Sequence, residues 1–259
     1  MEQEIYPDFV ARSGQVNTPP GSYDTVKEWI RDGFINRDSN ILEVGCTTGF
    51  IANQINRYTG ARVTGVDISA SAIEKARRNS GEISSLIFLE TNAEQLPFEN
   101  DYFSHVIIGG HLPWVKQEAR KDQVIEATRV LKPNGFLLTS LYYFHTRPPE
   151  EFITLFNSTF NTAISSEGDY QSWSSLFDLE NLVLENENNY KIICPDNARK
   201  MEYIKRFSEE FQGEWKKKVD LFSENGKYLS FFVKVFQKIG SSDPHIQIPR
   251  GGIYQWEKK

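Results

Sequence analysis

Short apolar runs alternate with amphipathic segments through the first half of the chain. Runs at 41–44, 62–66, 86–89, 105–108 and 136–141 are short and bounded by turn formers, which predicts buried strands. Segments at 23–32, 50–58, 69–79 and 116–131 carry apolar residues at helical spacing, the first with Ser22 as its expected cap. Strand and helix in alternation predict βαβ units, so the fold class is α/β, a doubly wound (Rossmann-like), mostly parallel sheet with helices on both faces. Lys132-Pro133-Asn134-Gly135 predicts a stop and turn between the last of these helices and its strand.

After residue 141 the rhythm breaks. Residues 142–188 are rich in aromatics, Ser, Asn and Glu, and helices are expected at 150–160 and 172–186. A strand is expected at 190–194, a charged helix at 197–219, and a strand at 227–237 entered through the hairpin-like turn Glu224-Asn225-Gly226. The residues after Ile239 read as an irregular tail. One domain accounts for all 259 residues. Within it, 1–37 reads as an N-terminal lid and helix, 38–141 as a binding core, 142–188 as a substrate cap, and 189–259 as C-terminal strands and tail.

The chemistry concentrates at two strand ends. Ile41-Leu42-Glu43-Val44-Gly45-Cys46-Thr47-Thr48-Gly49-Phe50 runs from an apolar strand through a small-residue turn into a helix. Backbone N–H groups there can approach a polar ligand closely. Asp67 ends the next apolar run, about twenty residues on, where a carboxylate can accept from ribose hydroxyls. Together they predict a nucleoside site.

Composition narrows the partners. A net charge of −6 argues against nucleic acid, and Lys216-Lys217-Lys218 lies among Glu214 and Asp220 as a solvated face. Cys46 and Cys194 are too few for a disulfide framework or a metal cluster, so no metal is expected. No apolar run reaches membrane-spanning length, and the acidic N-terminus does not read as a secretory signal. The expectation is a cytoplasmic protein with no membrane partner.

The ordered motifs resemble the class I S-adenosylmethionine-dependent methyltransferases. Glu43, Gly45 and Gly49 match the family's acidic-x-Gly-x-Gly-x-Gly motif, with Thr47 at the middle glycine position, and Asp67 matches its second acidic position. Thr91-Asn92-Ala93-Glu94-Gln95-Leu96-Pro97-Phe98 is similar to Asp-Ala-x-x-Leu-Pro-Phe, with Asn92 in place of Asp. Residues 101–107 correspond to the fourth strand, and 126–136 resemble the Arg-x-Leu-Lys-Pro-Gly-Gly segment. The resemblance covers roughly 38–141 and implies a seven-stranded sheet with an antiparallel C-terminal strand and a helical, aromatic-rich insertion after the fifth strand.

It also implies S-adenosylmethionine as cofactor. Glu43, Gly45, Cys46, Thr47 and Gly49 would flank its methionine end, Asp67 its ribose, Ile68, Asn92 and Ala93 its adenine, and Gly110 would adjoin it from the loop after the fourth strand. If Thr47 needs a positive φ, a β-branched residue there is strained. In the Gly109–Trp114 loop His111 is the first general-base candidate, and His145, after the fifth strand, is the second. Trp114, Tyr142 and Tyr143 would wall the acceptor, through packing or cation–π contacts. Tyr6, Arg12 and the segment 17–23 read equally as a lid or as a plain connection to the first helix.

The leading function is methyl transfer to an oxygen, nitrogen or carbon of a small molecule, in specialised metabolism, by in-line displacement. The alternatives are a peptide or protein methyltransferase, and a methyltransferase-like binding protein without catalysis, for which Thr47 and Asn92 are the motivation. The insertion's aromatics serve equally well as a homodimer interface.

Overall fold

The computed structural model describes residues 5–15, 17–160, 164–205 and 209–240. The expected tail from 241 onward lies outside them. The chain opens with α1 (Tyr6–Ser13) and α2 (Tyr23–Asp32), then β1 (Asn40–Val44), α3 (Phe50–Thr59), β2 (Arg62–Asp67), α4 (Ala70–Ser80) and β3 (Leu86–Glu90). It continues through β4 (Phe103–Ile107), α5 (Gln117–Val130), β5 (Leu131–Phe144), α6 (Glu150–Phe160), α7 (Tyr170–Ser174) and β6 (Leu182–Lys191). Helices α8 (Asn197–Ile204) and α9 (Glu209–Asn225) precede the last strand, β7 (Leu229–Lys238).

The strands form one seven-stranded sheet in the order β3-β2-β1-β4-β5-β7-β6. The first five pair in parallel, and β7 runs antiparallel to both β5 and β6. Successive side chains of a strand point to opposite faces, so the continuous apolar strands feed two cores. Ile41 and Val63 pack with Val26, Trp29, Ile55 and Ile73 under one layer of helices. Leu42, Val44 and Val66 pack with Val106, Val124 and Leu137 under the other. Ser69 caps α4 by accepting from the Ala72 N–H at 3.0 Å.

Several elements differ from the sequence expectation. Ser22 makes no capping bond: its φ is 55°, and its N–H closes a turn on the Pro19 carbonyl at 2.8 Å. Lys132–Gly135 does not separate helix from strand. Leu131 already pairs with Phe103, the next paired residue is Phe136, and the residues between bulge out with Asn134 at φ 63°. Residues 182–186 are strand, not helix, because β6 is zipped onto β7 despite its run of Glu and Asn. The expected strand at 190–194 is only the end of β6, and the charged helix at 197–219 is the pair α8 and α9. Glu224-Asn225-Gly226 joins α9 to β7 and is no hairpin.

The segment read as a substrate cap is divided between the sheet and a helix, α6, whose Phe156 and Phe160 pack on Phe222 of α9. Residues 142–144 finish β5, and 182–188 are most of β6. Between them Tyr170, Trp173 and Phe177 lie on the sheet's outer face. Lys234 fixes that layer. Its buried Nζ donates to Tyr170 Oη at 2.9 Å and Ser174 Oγ at 2.7 Å, with Glu187 at 3.5 Å.

Candidate active site

A cavity of about 370 Å³ opens at the C-terminal ends of β1, β4 and β5. One wall is the glycine loop, Glu43, Val44, Gly45 and Thr47, continued by Ile107–Gly110 at the end of β4. Asn17–Pro20 lie across it from the N-terminal side. The far wall is Tyr6, Gln15, Trp114, Tyr142, and residues of α8 and α9 from Arg199 to Ser223. The lining residues all lie outside 145–190, so the cover comes from α1 and the α8–α9 excursion.

The glycine loop is shaped by its close neighbours. Gly45 has φ 76°, and a Cβ there would stand 2.6 to 2.7 Å from His111 ring and Cβ atoms. Thr47 also adopts a positive φ, 44°, where a β-branched residue is strained. Its N–H donates to Asp67 Oδ2 at 2.9 Å, while Asp67 Oδ1 accepts from Ser69 N–H at 3.1 Å. Asp67 thus ties the two strand ends together, and each oxygen keeps a lone pair for a ligand hydroxyl. Burial raises its pKa, opposed by these backbone bonds. Glu43 is more deeply enclosed: it accepts from Ala52 N–H at 2.9 Å, and burial pushes its pKa up to about 8.

Glu43, Gly45, Thr47, Gly110, Trp114 and Tyr142 line the cavity. Cys46, Gly49, Asp67, Ile68, Asn92 and Ala93 lie beyond its lining, around the loop and the ends of β2 and β3. Cys46 is buried behind the loop against Gly65, and Gly49 starts α3 with φ 81°. Ile68 and Asn92 are exposed, and Ala93 is buried in the core.

The structure brings neither histidine to the cavity. The His111 ring is wedged against Gly45, its Nε2 2.8 Å from Gln123 Oε1, and burial lowers its pKa. His145 is exposed and outside the lining, its Nδ1 3.0 Å from Ser230 Oγ. Tyr143 also misses the cavity. It alternates with Tyr142 along β5, packs on Tyr170 and Phe232, and donates to Asn189 at 3.2 Å.

The cover is a small aromatic core of its own. Tyr6 stacks on Trp114 with centroids 4.7 Å apart, and Phe9 and Val10 pack against Ile204 and Val219. Asp8 pins α1 to the second strand end by accepting from Ser69 and Ser71 hydroxyls at 2.5 and 2.8 Å. Arg12 sits on the same helix, over the Phe9 ring at 5.5 Å. Burial raises the pKa of Tyr6, and that of Tyr142 to about 12, with the phenol of Tyr203 adding to both. Arg199, Lys200 and Tyr203 gave no signal in the sequence, because charged helical residues usually face water.

The space is open to a polar ligand in two respects. A Cβ at Gly110 would meet no protein atom within 4 Å, so the backbone there faces open space. Gln15 Oε1 and Trp114 Nε1, on lining residues, are buried with no partner among the described residues. No helix among the described residues is long and apolar enough to cross a membrane.

Residues 41–135 match the family model of a methyltransferase domain. That segment, more than a third of the chain, is therefore similar to a methyltransferase domain. An uncharacterized protein of Haemophilus influenzae is 35% identical over 141 residues, which are 53% of this chain and 56% of that protein. The ubiquinone/menaquinone biosynthesis C-methyltransferase UbiE of Wigglesworthia glossinidia brevipalpis is 30% identical over 40% of this chain and 42% of its own. The chain therefore spans about half the length, or less, of these curated relatives. The crystal structure of MccD protein aligns with a TM-score of 0.75 at 25% identity, over 86% of this chain and 100% of that one. Geranyl diphosphate C-methyltransferase from Streptomyces coelicolor A3(2), solved with S-adenosyl-L-homocysteine, has the same fold, with a TM-score of 0.64 at 17% identity over 84% of this chain and 79% of its own.

Proposed function

We propose that this chain is an S-adenosylmethionine-dependent methyltransferase acting on a small-molecule acceptor. The observation that carries the reading is the continuity of the cavity, from the glycine loop past Gly109 and Gly110 to the walls made by Trp114 and Tyr142. The relatives' names, a quinone-pathway and a geranyl diphosphate C-methyltransferase, support a small acceptor.

Bound S-adenosylmethionine supplies an electrophilic methyl group. Glu43, Gly45, Thr47 and Gly110 would hold its amino-acid end, and Asp67, Ile68, Asn92 and Ala93 its nucleoside, over the ends of β2 and β3. The chain's own work is alignment and exclusion of water. Tyr6, stacked on Trp114, covers the acceptor end. The Tyr6 and Tyr142 phenols are protonated at neutral pH, as tyrosines ordinarily are, and can donate hydrogen bonds there. Since neither histidine reaches the cavity, rate enhancement rests on orientation.

Calorimetry with S-adenosylmethionine and S-adenosylhomocysteine tests the donor half, with micromolar or tighter binding expected; no binding by the intact chain overturns it. Incubation of a cell extract with methyl-labelled cofactor, followed by size separation, tests the acceptor half. Label in the small-molecule fraction is expected, and label confined to protein overturns that half.

A further inference from the structure

We propose that the acceptor end of the cavity is an anion subsite, in which Arg199 and Lys200 hold a carboxylate or phosphate borne by a small acceptor. This rests on the methyltransferase reading and specifies its substrate class.

The charge around the cavity is opposite in sign to that of the chain. The protein carries a net −6, yet two adjacent cations of α8 line this space. Among the described residues, the carboxylate lining it is Glu43, on the glycine-loop wall. Lys200 is largely enclosed, its side chain 19% exposed, and is held by Asp220 of α9 at 3.2 Å. Asp220 itself is 59% exposed and outside the lining, so solvent screens its half of the pair while the ammonium remains at the cavity wall. Arg199 is exposed yet lines the cavity, which puts it at the mouth, and its guanidinium has no ion pair or hydrogen bond with the described residues. A planar fork of N–H donors beside a point charge suits an oxyanion, bidentate on Arg199 and monodentate on Lys200.

The neighbours complete such a site. Tyr6 Oη accepts from Gln15 Nε2 at 3.2 Å, which leaves its own O–H free to donate into the cavity. Tyr142 and Trp114 offer flat apolar walls beside it. An acceptor with an aromatic or unsaturated body and one anionic end fits both halves. A neutral acceptor would leave Arg199 to water at the mouth.

The test uses full-length protein saturated with S-adenosylhomocysteine and, as probes, phenyl phosphate, benzoate and neutral benzamide, followed by calorimetry. At least tenfold tighter binding of one anion than of benzamide is expected, and which anion wins distinguishes a phosphate from a carboxylate source. The double variant R199A/K200A is expected to abolish that preference with S-adenosylhomocysteine affinity unchanged. R199Q alone, at an exposed position that the fold tolerates, is expected to weaken the anion severalfold, and D220N to tighten it two- to threefold. Equal binding of benzamide and the anions, or a preference that survives in R199A/K200A and R199Q, overturns the subsite. Failure of the unaltered protein to bind S-adenosylhomocysteine overturns instead the donor reading beneath it.

Discussion

The two ends of the cavity are built in opposite ways. At the donor end, Glu43 and Asp67 sit on the adjacent strands β1 and β2, Gly45 and Thr47 on the loop after β1, and backbone N–H groups converge on the two buried carboxyl groups. At the acceptor end, α1, α8 and α9, separated by nearly two hundred residues of chain, meet through Tyr6, Phe9, Ile204 and Val219. One end is fixed by the sheet's main core. The other is a small cluster, and its local opening free energy should be lower than that of the sheet. On the proposed reading, a donor common to many reactions would meet the rigid end, and the variable acceptor the adaptable one.

Changes at the donor end should be the most damaging. Gly45→Ala places a Cβ against His111 at a positive φ, and is expected to cost about 2–3 kcal/mol of stability, with S-adenosylhomocysteine binding lost in calorimetry. Asp67→Ala leaves the N–H groups of Thr47 and Ser69 without an acceptor, at about 1–3 kcal/mol each, and should weaken the cofactor at least tenfold. If Asp67→Ala lowers stability but spares affinity, the carboxylate serves the loops alone.

Glu43 gives the comparison a pH signature. Its folded pKa of about 8 lies above the ordinary carboxylate value, so the folded state holds a proton that the unfolded state releases from about pH 4.5 upward. Stability from this group is therefore full below about pH 4.5 and is lost as pH rises toward 8. The total is on the order of 3–5 kcal/mol. Urea unfolding of the ligand-free protein from pH 5 to 8 should show this decline, and Glu43→Gln should flatten it. An unchanged slope in Glu43→Gln would assign the dependence to other groups.

Smaller effects remain. Thr47→Gly relieves a β-branched residue at φ 44° and should raise stability by about 1 kcal/mol in chemical denaturation. His145→Ala, outside the cavity lining and exposed, should leave turnover unchanged and stability within about 0.5 kcal/mol. A large loss of activity there would mean that the acceptor enters from the β5–β7 edge.

The glycine loop was legible because its information is local. Glu43 to Gly49 is one strand, one turn and one helix start, and the positive φ considered for Thr47 is the one observed. The acceptor end was not legible, since no local pattern announces that Tyr6 will stack on Trp114, or that Arg199 faces a cavity and not water. Strand β6 was misread for a related reason. Glu185, Glu187 and Asn186 to Asn189 have weak strand preference, and pairing with β7 overrides it. The aromatics of 142–188 suggested a cover, but Lys234 and Phe232 hold Tyr170 on the sheet, while Phe156 and Phe160 pack on Phe222 of α9. His111 was judged by its position after β4. Its side chain instead became the stop against which Gly45 is shaped.

The position of α8 and α9 between two paired strands has a consequence for how this molecule can change. Lys191 at the end of β6 and Ser230 at the start of β7 are register partners, so the excursion leaves and re-enters the sheet at neighbouring points, about 5 Å apart. A segment with coincident ends behaves as an exchangeable cassette: its length and side chains can be rewritten without shifting any parallel strand. Grafting a different sequence between those two residues is a route to altered acceptor choice with the donor machinery left intact.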